Sequence, residues 1–192
     1  MKKLFLSMFA VSAIAAGLSV VSAAQAAEVN VYSGREENLI KPVLDRFTAE
    51  TGITVNLITA GADELTTRLE LEGANSPADL LLTVDVGRLL RAKEMGLLQS
   101  VDSDVLESNI PAQYRDSEGQ WFGVSLRSRV VVYDKARVNP AQLSTYEDLA
   151  DPKWKGKICI RSSSNIYNQS MTAAMISHHG VEQTEQWAKG LV

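Results

Sequence analysis

Residues 28–52 read EVNVYSGREENLIKPVLDRFTAETG, two hydrophobic periodicities joined by one short polar loop. Over 28–33 the apolar side chains alternate, the pattern of a strand. Over 38–52 they recur at three- and four-residue spacing and stop on Gly52, the pattern of a helix and its left-handed end. The unit then repeats. ITVNLIT (53–59) precedes ADELTTRLELEG (62–73), in which Asp63 and Glu64 favour the positive end of a helix and Gly73 follows its last turn. ADLLLTV (78–84) precedes DVGRLLRAKEMG (85–96), stopped by Gly96. Strands alternating with helices of about 10–15 residues predict an α/β fold, a parallel sheet with helices on both faces.

Ahead of this unit, residues 1–26 read MKKLFLSMFAVSAIAAGLSVVSAAQA. Two lysines, an apolar run of small residues and Ala24-Gln25-Ala26 make a secretory signal peptide, with the mature chain starting at Ala27. No later stretch is apolar for the roughly 20 residues of a membrane span, and no cysteine follows the signal for lipid attachment. A soluble, exported protein of the periplasm, with no stable membrane insertion after signal removal, is the expectation. Without Lys2 and Lys3 the formal charge of −4 becomes −6, with both signs mixed along the chain, which argues against a nucleic-acid partner. Cys159 is the only cysteine; within KICI it reads as a small buried hydrophobe, and no disulfide or zinc-cysteine cluster is available.

The pattern changes after residue 100. VDSDVLESNIPAQYRDSEGQ (101–120) is polar and turn-rich, whereas WFGVSLRSRVVVYD (121–134) reads as one long β run, a crossing segment. A short helix is expected near Ser144, with Glu147 completing a capping box. KICIRS (157–162) reads as a strand, followed by helices over 165–180 and 182–192. The organisation expected is therefore a lobe at 27–133 with a hinge strand at about 122–133, and the start of a second α/β lobe at 134–192.

Loops at the carboxyl ends of parallel strands face the ligand crevice. Four such loops are expected here: YSGREEN (32–38), TAGADE (59–64), TVDVG (83–87) and RSSSNIYNQ (161–169). In the last, the free N–H groups of a helix start stand beside Ser162, Ser163, Ser164 and Asn165, an anion pocket; alternatively Ser163 or Ser164 simply caps the helix. Tyr167 projects from the first helical turn, toward a ligand or into a hydrogen-bonded core position. Arg35 suits bidentate clamping of carboxylate-like anions, while Glu36 and Glu37 either line the crevice mouth or favour the helix start, the second reading fitting Glu37 better. Arg127 and Arg129 share one face of the expected strand and point to cleft or solvent. His178 and His179 are adjacent and diverge, a poor metal site. No hydrolase, zinc-protease or nucleotide-binding motif is present.

Four segments together carry a family resemblance: VNVYSGREENLIKPVLDRFTAETGITV, SPADLLLTVDVGRLLRAKEMGLL, FGVSLRSRVVVYD and YEDLADPKWKGKICIRSSSNIYNQS. From about residue 28 to residue 192 the chain closely resembles the periplasmic ferric-iron-binding proteins of bacterial ABC importers, transferrin-like members of the type II periplasmic binding proteins. The resemblance implies two α/β lobes closing on Fe³⁺ held by tyrosine phenolates, often with carbonate or a similar synergistic anion. Fe³⁺ is a hard ion that favours anionic oxygen donors and displaces the phenol proton far below its ordinary pKa of about 10. On this basis Tyr167 is the metal ligand and Arg35 contacts the anion; Ser163, Ser164 and Asn165 of the helix-start pocket stand as anion or supporting residues from the local reading, with Arg127 and Arg129 as further candidates. Many relatives carry histidine, some histidine-tyrosine, where Glu36-Glu37 stands, and another branch has a glutamate ligand where Val84 stands. The implied branch is therefore the one relying on tyrosines plus an anion, with Glu36 a less direct oxygen candidate. Relatives continue by a further half-domain or more that bears an adjacent tyrosine pair, so the resemblance also implies a fragment with an incomplete second lobe. The implied partner is an ABC permease in the inner membrane, served by a monomeric binding protein that is not an enzyme. The rivals are an anion or small-organic-ion binder on the same fold, a periplasmic enzyme using Glu36 or Glu37 as general base, and an inert fragment.

Overall fold

The computed structural model describes residues 27–192; the signal-peptide assignment to 1–26 lies outside the described residues. Three strands form a parallel sheet: β1 (Glu28–Ser33), β2 (Thr54–Thr59) and β3 (Leu80–Leu82), in the order β2-β1-β3. Val31 of the central strand lies opposite Leu57 on one side and Leu80 on the other. Helices α1 (Glu37–Thr51) and α2 (Ala62–Glu72) make the crossovers that parallel pairing requires. Helix α3 (Val86–Glu94) follows β3. Their ends are those the sequence predicts: Gly52 and Gly96 take positive φ of 73° and 69°, which glycine adopts without strain.

The core lies between the sheet and α2. Tyr32, Leu65 and Leu69 are buried against Ala60, Ala78, Leu81 and Leu97. A fully buried leucine contributes about 1.5–3 kcal/mol. Tyr32, at the end of β1, belongs to this core rather than to a crevice: its hydroxyl donates to Glu72 Oε1 at 2.9 Å, and the Arg68 guanidinium sits 4.7 Å from its ring centroid. Burial and the Glu72 bond push the Tyr32 phenol up from its ordinary value. Gly34 lets α2 approach the end of β1, since a Cβ there would stand 2.9 Å from Ala62 Cβ.

Beyond α3 the chain runs through α4 (Asp104–Asn109), capped by Ser103, whose Oγ accepts from Leu106 N. This short helix sits within the segment read as turns; Ser103 ahead of Asp104 was its one local signal. Two expected strands are not formed. Residues 121–134 make a single antiparallel bridge, Arg115 with Phe122, and 157–162 make no ladder. A strand exists only where a neighbour accepts its hydrogen bonds, and among the described residues neither 124–134 nor 157–162 has one. Val124, Leu126, Val130 and Val132 are accordingly exposed, as is Cys159, which the sequence placed in a buried strand. The helices α5 (Ile166–His179) and α6 (Val181–Gly190) form as expected and pack on each other. Trp187 of α6 is buried and its Nε1 donates to Tyr146 O at 2.8 Å. The expected capping box is shifted by one residue. Thr145 Oγ1 accepts from Asp148 N at 3.3 Å and Asp148 Oδ2 from Thr145 N at 3.4 Å, over a 3₁₀ turn at Glu147–Ala150.

The turn at 116–120 is organised by one carboxylate. Asp116 accepts from Lys93 Nζ at 2.9 Å and from the backbone N–H groups of Glu118 and Gln120 at 3.2 Å each. Lys93 holds the Asp116 carboxyl below the usual range, and Asp116 in turn raises Lys93. The carboxylate's contribution is thus complete above about pH 4 and lost as pH falls through its lowered value. The ammonium's is complete below about pH 10 and lost as pH rises through its raised value. Urea unfolding across pH should therefore show Asp116→Asn less stable than the parent by an amount greatest between about pH 4 and 10, shrinking on either side.

Candidate functional site

The loops at the carboxyl ends of β1 and β3 are drawn together by Gly34 N, which donates to Leu82 O at 2.8 Å; Ala60 N at the end of β2 donates to Ser33 O at 3.3 Å. Arg35 leaves this corner half-buried, its backbone N–H donating to Ser33 Oγ at 3.1 Å. Glu36 occupies the N-cap position of α1 without a side-chain cap bond, and Glu37 lies in the first turn, where a negative charge suits the helix start. Both glutamates are exposed.

The second half of the site is the start of α5. Asn165, not Ser163 or Ser164, is the cap: its Oδ1 accepts from Tyr167 N at 3.1 Å. Ser162 and Ser164 instead bond to each other, Oγ to Oγ at 2.6 Å, and Gln169 Nε2 donates to Ser164 O at 3.4 Å. Asn168 ties the loop down by donating to Ser162 O at 3.2 Å and to Arg161 O. The polar side chains of RSSSNIYNQS therefore shape the loop first.

Tyr167 is half-buried, and two guanidinium groups stand against its ring, Arg129 at 5.3 Å and Arg161 at 5.6 Å from the centroid. Arg129 reaches it from a segment without strand pairing. Arg127, two residues earlier, is exposed and makes no side-chain ion pair among the described residues. The structure thus brings together Tyr167, Asn165 and Arg129, and leaves Arg35 and Glu36 without polar contact to them.

Three residues were not singled out from the sequence. Arg161 opens the candidate loop 161–169, where the hydroxyl and amide residues after it carry the stronger signal. Asp85 caps α3, accepting from Gly87 N at 3.0 Å, pairs with Arg129 Nη2 at 2.8 Å and accepts from Ser170 Oγ on α5. Arg88 donates from Nε and Nη2 to the two carboxylate oxygens of Asp63, at 3.0 Å each, and from Nη1 to Val84 O at 3.2 Å, which anchors α3 to the start of α2. That pairing holds Asp63 below the usual carboxylate range and raises Arg88. The pairings of Arg88 with Asp63 and of Asp85 with Arg129 and Ser170 have no local signature, because their partners lie 25 to 85 residues apart.

His178 and His179 do not form a metal site together. His179 Nε2 lies 2.7 Å from Glu147 Oε1, and among the described residues no group of three or more His, Cys, Asp or Glu is placed to hold a metal ion. No helix among them is long and apolar enough to cross a membrane.

Residues 75–192 match the family model described as bacterial extracellular solute-binding protein, and the chain belongs to that family. It is 56% identical over 165 residues to iron uptake protein A1 of Synechocystis, covering 86% of this chain and 46% of that protein. It is 34% identical to the Fe(3+)-binding periplasmic protein of Serratia marcescens, covering all of this chain and 57% of that one. Among solved structures, Trichodesmium IdiA (FutA) in complex with iron and citrate superposes with a TM-score of 0.81 at 54% identity, covering 85% of this chain and 52% of that one. The ferric binding protein of Campylobacter jejuni gives 0.79 at 40%, covering 85% and 52%. The fold is that of the type II periplasmic binding proteins, and the chain spans about half the length of the curated relatives it matches.

The junction between α3 and α5 depends on the missing side chain of Gly87. A Cβ there would stand 3.0 Å from Ile166 Cδ1 and 3.3 Å from Asp85 Oδ1. Gly87→Ala should destabilise the chain by about 1–3 kcal/mol through overpacking. Adding Ile166→Val, which removes Cδ1, should recover part of the lost melting temperature.

Proposed function

We propose that this chain is the ligand-capturing part of a periplasmic substrate-binding protein that takes up Fe³⁺ and presents it to an ABC permease in the inner membrane. Tyr167 supplies a phenolate, and a synergistic anion such as carbonate completes the shell. The observation that carries this reading is the pair of guanidinium groups, Arg129 and Arg161, against the Tyr167 ring. A phenol alone is a common surface group. A phenol with two guanidinium groups against its ring at the start of a helix is suited to a highly charged ion arriving with anionic oxygen ligands.

The residues divide the work by what their atoms have left to give. Asn165 Oδ1 is engaged as the cap, which leaves its Nδ2 to donate to an anion. Ser163 offers hydroxyl and backbone donors beside it, Ser164, whose hydroxyl and N–H are engaged with Ser162 Oγ, supports the loop behind it, and Arg35 and Arg127 add positive charge. Glu36 is a less direct oxygen donor. The reading divides the chain into lobes at 27–133 and 134–192 that close by rotation at about 122–133, a stretch free of ladder constraints. It is a transport role rather than a catalytic one, in keeping with relatives whose names are those of iron uptake and iron-binding proteins. Export, a monomeric state and recognition of the closed form by the permease complete the proposal.

An anion-only binder on the same fold is the second reading, favoured by the same arginines. Ferric-citrate titration separates the two. The chain should develop a visible phenolate-to-iron charge-transfer band, and Tyr167→Phe should abolish it; anion binding that survives Tyr167→Phe with no band in the parent would support the second reading. Protons compete with iron for phenolate and carbonate oxygens. Acidifying the iron-loaded chain should therefore bleach the band, and returning to neutral pH with iron present should restore it.

A further inference from the structure

Asp85 takes no part in ligand capture as described, yet its placement is unusual. Its backbone lies at φ 74°, the one positive φ outside glycine among the described residues. Residues held in that region persist where their surroundings over-determine them, and they concentrate at functional sites. Its side chain is 6% exposed and both carboxylate oxygens are committed. Oδ1 accepts from Gly87 N and from Ser170 Oγ; Oδ2 accepts from Arg129 Nη2 at 2.8 Å.

Capping α3 needs only the bond to Gly87, which an asparagine or serine provides as well. The two remaining partners are the informative ones, because both flank Tyr167. Ser170 stands three residues after Tyr167 on α5, one turn along the same side of the helix. Arg129 carries one of the two guanidiniums against the Tyr167 ring. Its side chain is 41% exposed and its segment has no ladder, so the Asp85 ion pair is what holds that guanidinium in one orientation.

We propose that Asp85 is a positioning residue for the Tyr167 site, fixing Arg129 against the phenol ring and, through Ser170, the first turn of α5 against α3. The role in metal capture rests on Tyr167 being the ferric donor. With Arg129 paired in this way, Arg161 is the guanidinium left free for the incoming anion.

The test uses the full chain with Asp85→Asn, which keeps the acceptor for Gly87 and removes the charge. Ferric citrate is the first probe. Loss of a contact that orients a metal donor weakens affinity by about 10–100-fold, so Asp85→Asn should fall in that range. Arg129→Gln should lose as much, and the double variant no more than either, because Asp85 acts through Arg129. The second probe needs no iron: with ring-labelled tyrosine, the Tyr167 resonance, assigned by its loss in Tyr167→Phe, should move in Asp85→Asn and Arg129→Gln but stay in place in Arg46→Gln, which breaks only an exposed pair with Glu50 on α1. An unmoved Tyr167 resonance overturns the proposal, as do losses that multiply in the double variant. A moved resonance in a chain whose parent shows no iron band leaves the positioning role standing and removes the iron reading instead. Should Asp85→Asn lose its native circular dichroism, Ser170→Ala and Arg129→Gln break the same two contacts from the other side and are read in the same way.

Discussion

The structure depends on β1 being paired on both edges by parallel neighbours. A parallel pair cannot be closed by a tight turn, so each return journey has to be made by a helix packed on the sheet. That requirement places α1 and α2, and α2 buries Tyr32 together with its own Leu65 against the sheet. It also draws the loops after β1 and β3 together at one edge, where Gly34 and Leu82 are hydrogen-bonded. The ligand-facing corner is thus a by-product of strand direction, before any side chain in it is chosen.

The helical half of the fold was legible because its signals are local. Gly52, Gly73 and Gly96 end their helices where the periodicity stops, and Asp63 and Glu64 sit in the first turn of α2. Strands failed where the signal was equally strong but the outcome is non-local. VVVY at 130–133 has the composition of a strand and, among the described residues, no partner to be one with; the exposure of Cys159 follows from the same cause. The capping box moved from Ser144 to Thr145 because both residues carry a hydroxyl and each has an acidic residue three positions on, so spacing alone could not choose.

The site divides in the same way. Tyr167, Asn165 and Arg129 were within reach of sequence reasoning, because a polar helix start and a cationic stretch announce themselves. Their association was not, since 38 residues separate Arg129 from Tyr167. Asp85 was hidden more thoroughly. In sequence it is one more acidic residue before a helix, and nothing there records that its second oxygen is bound to an arginine from a distant segment.

The backbone at Asp85 also bears on how this chain would respond to selection. Glycine would occupy φ 74° without steric penalty, yet it would bring no carboxylate to Arg129 or Ser170. Thermal endurance at this position therefore weighs relief of the backbone strain against three lost side-chain bonds, whereas ligand capture favours the carboxylate alone. The residue present is a compromise, and its direction of drift under selection reports which property is limiting the molecule.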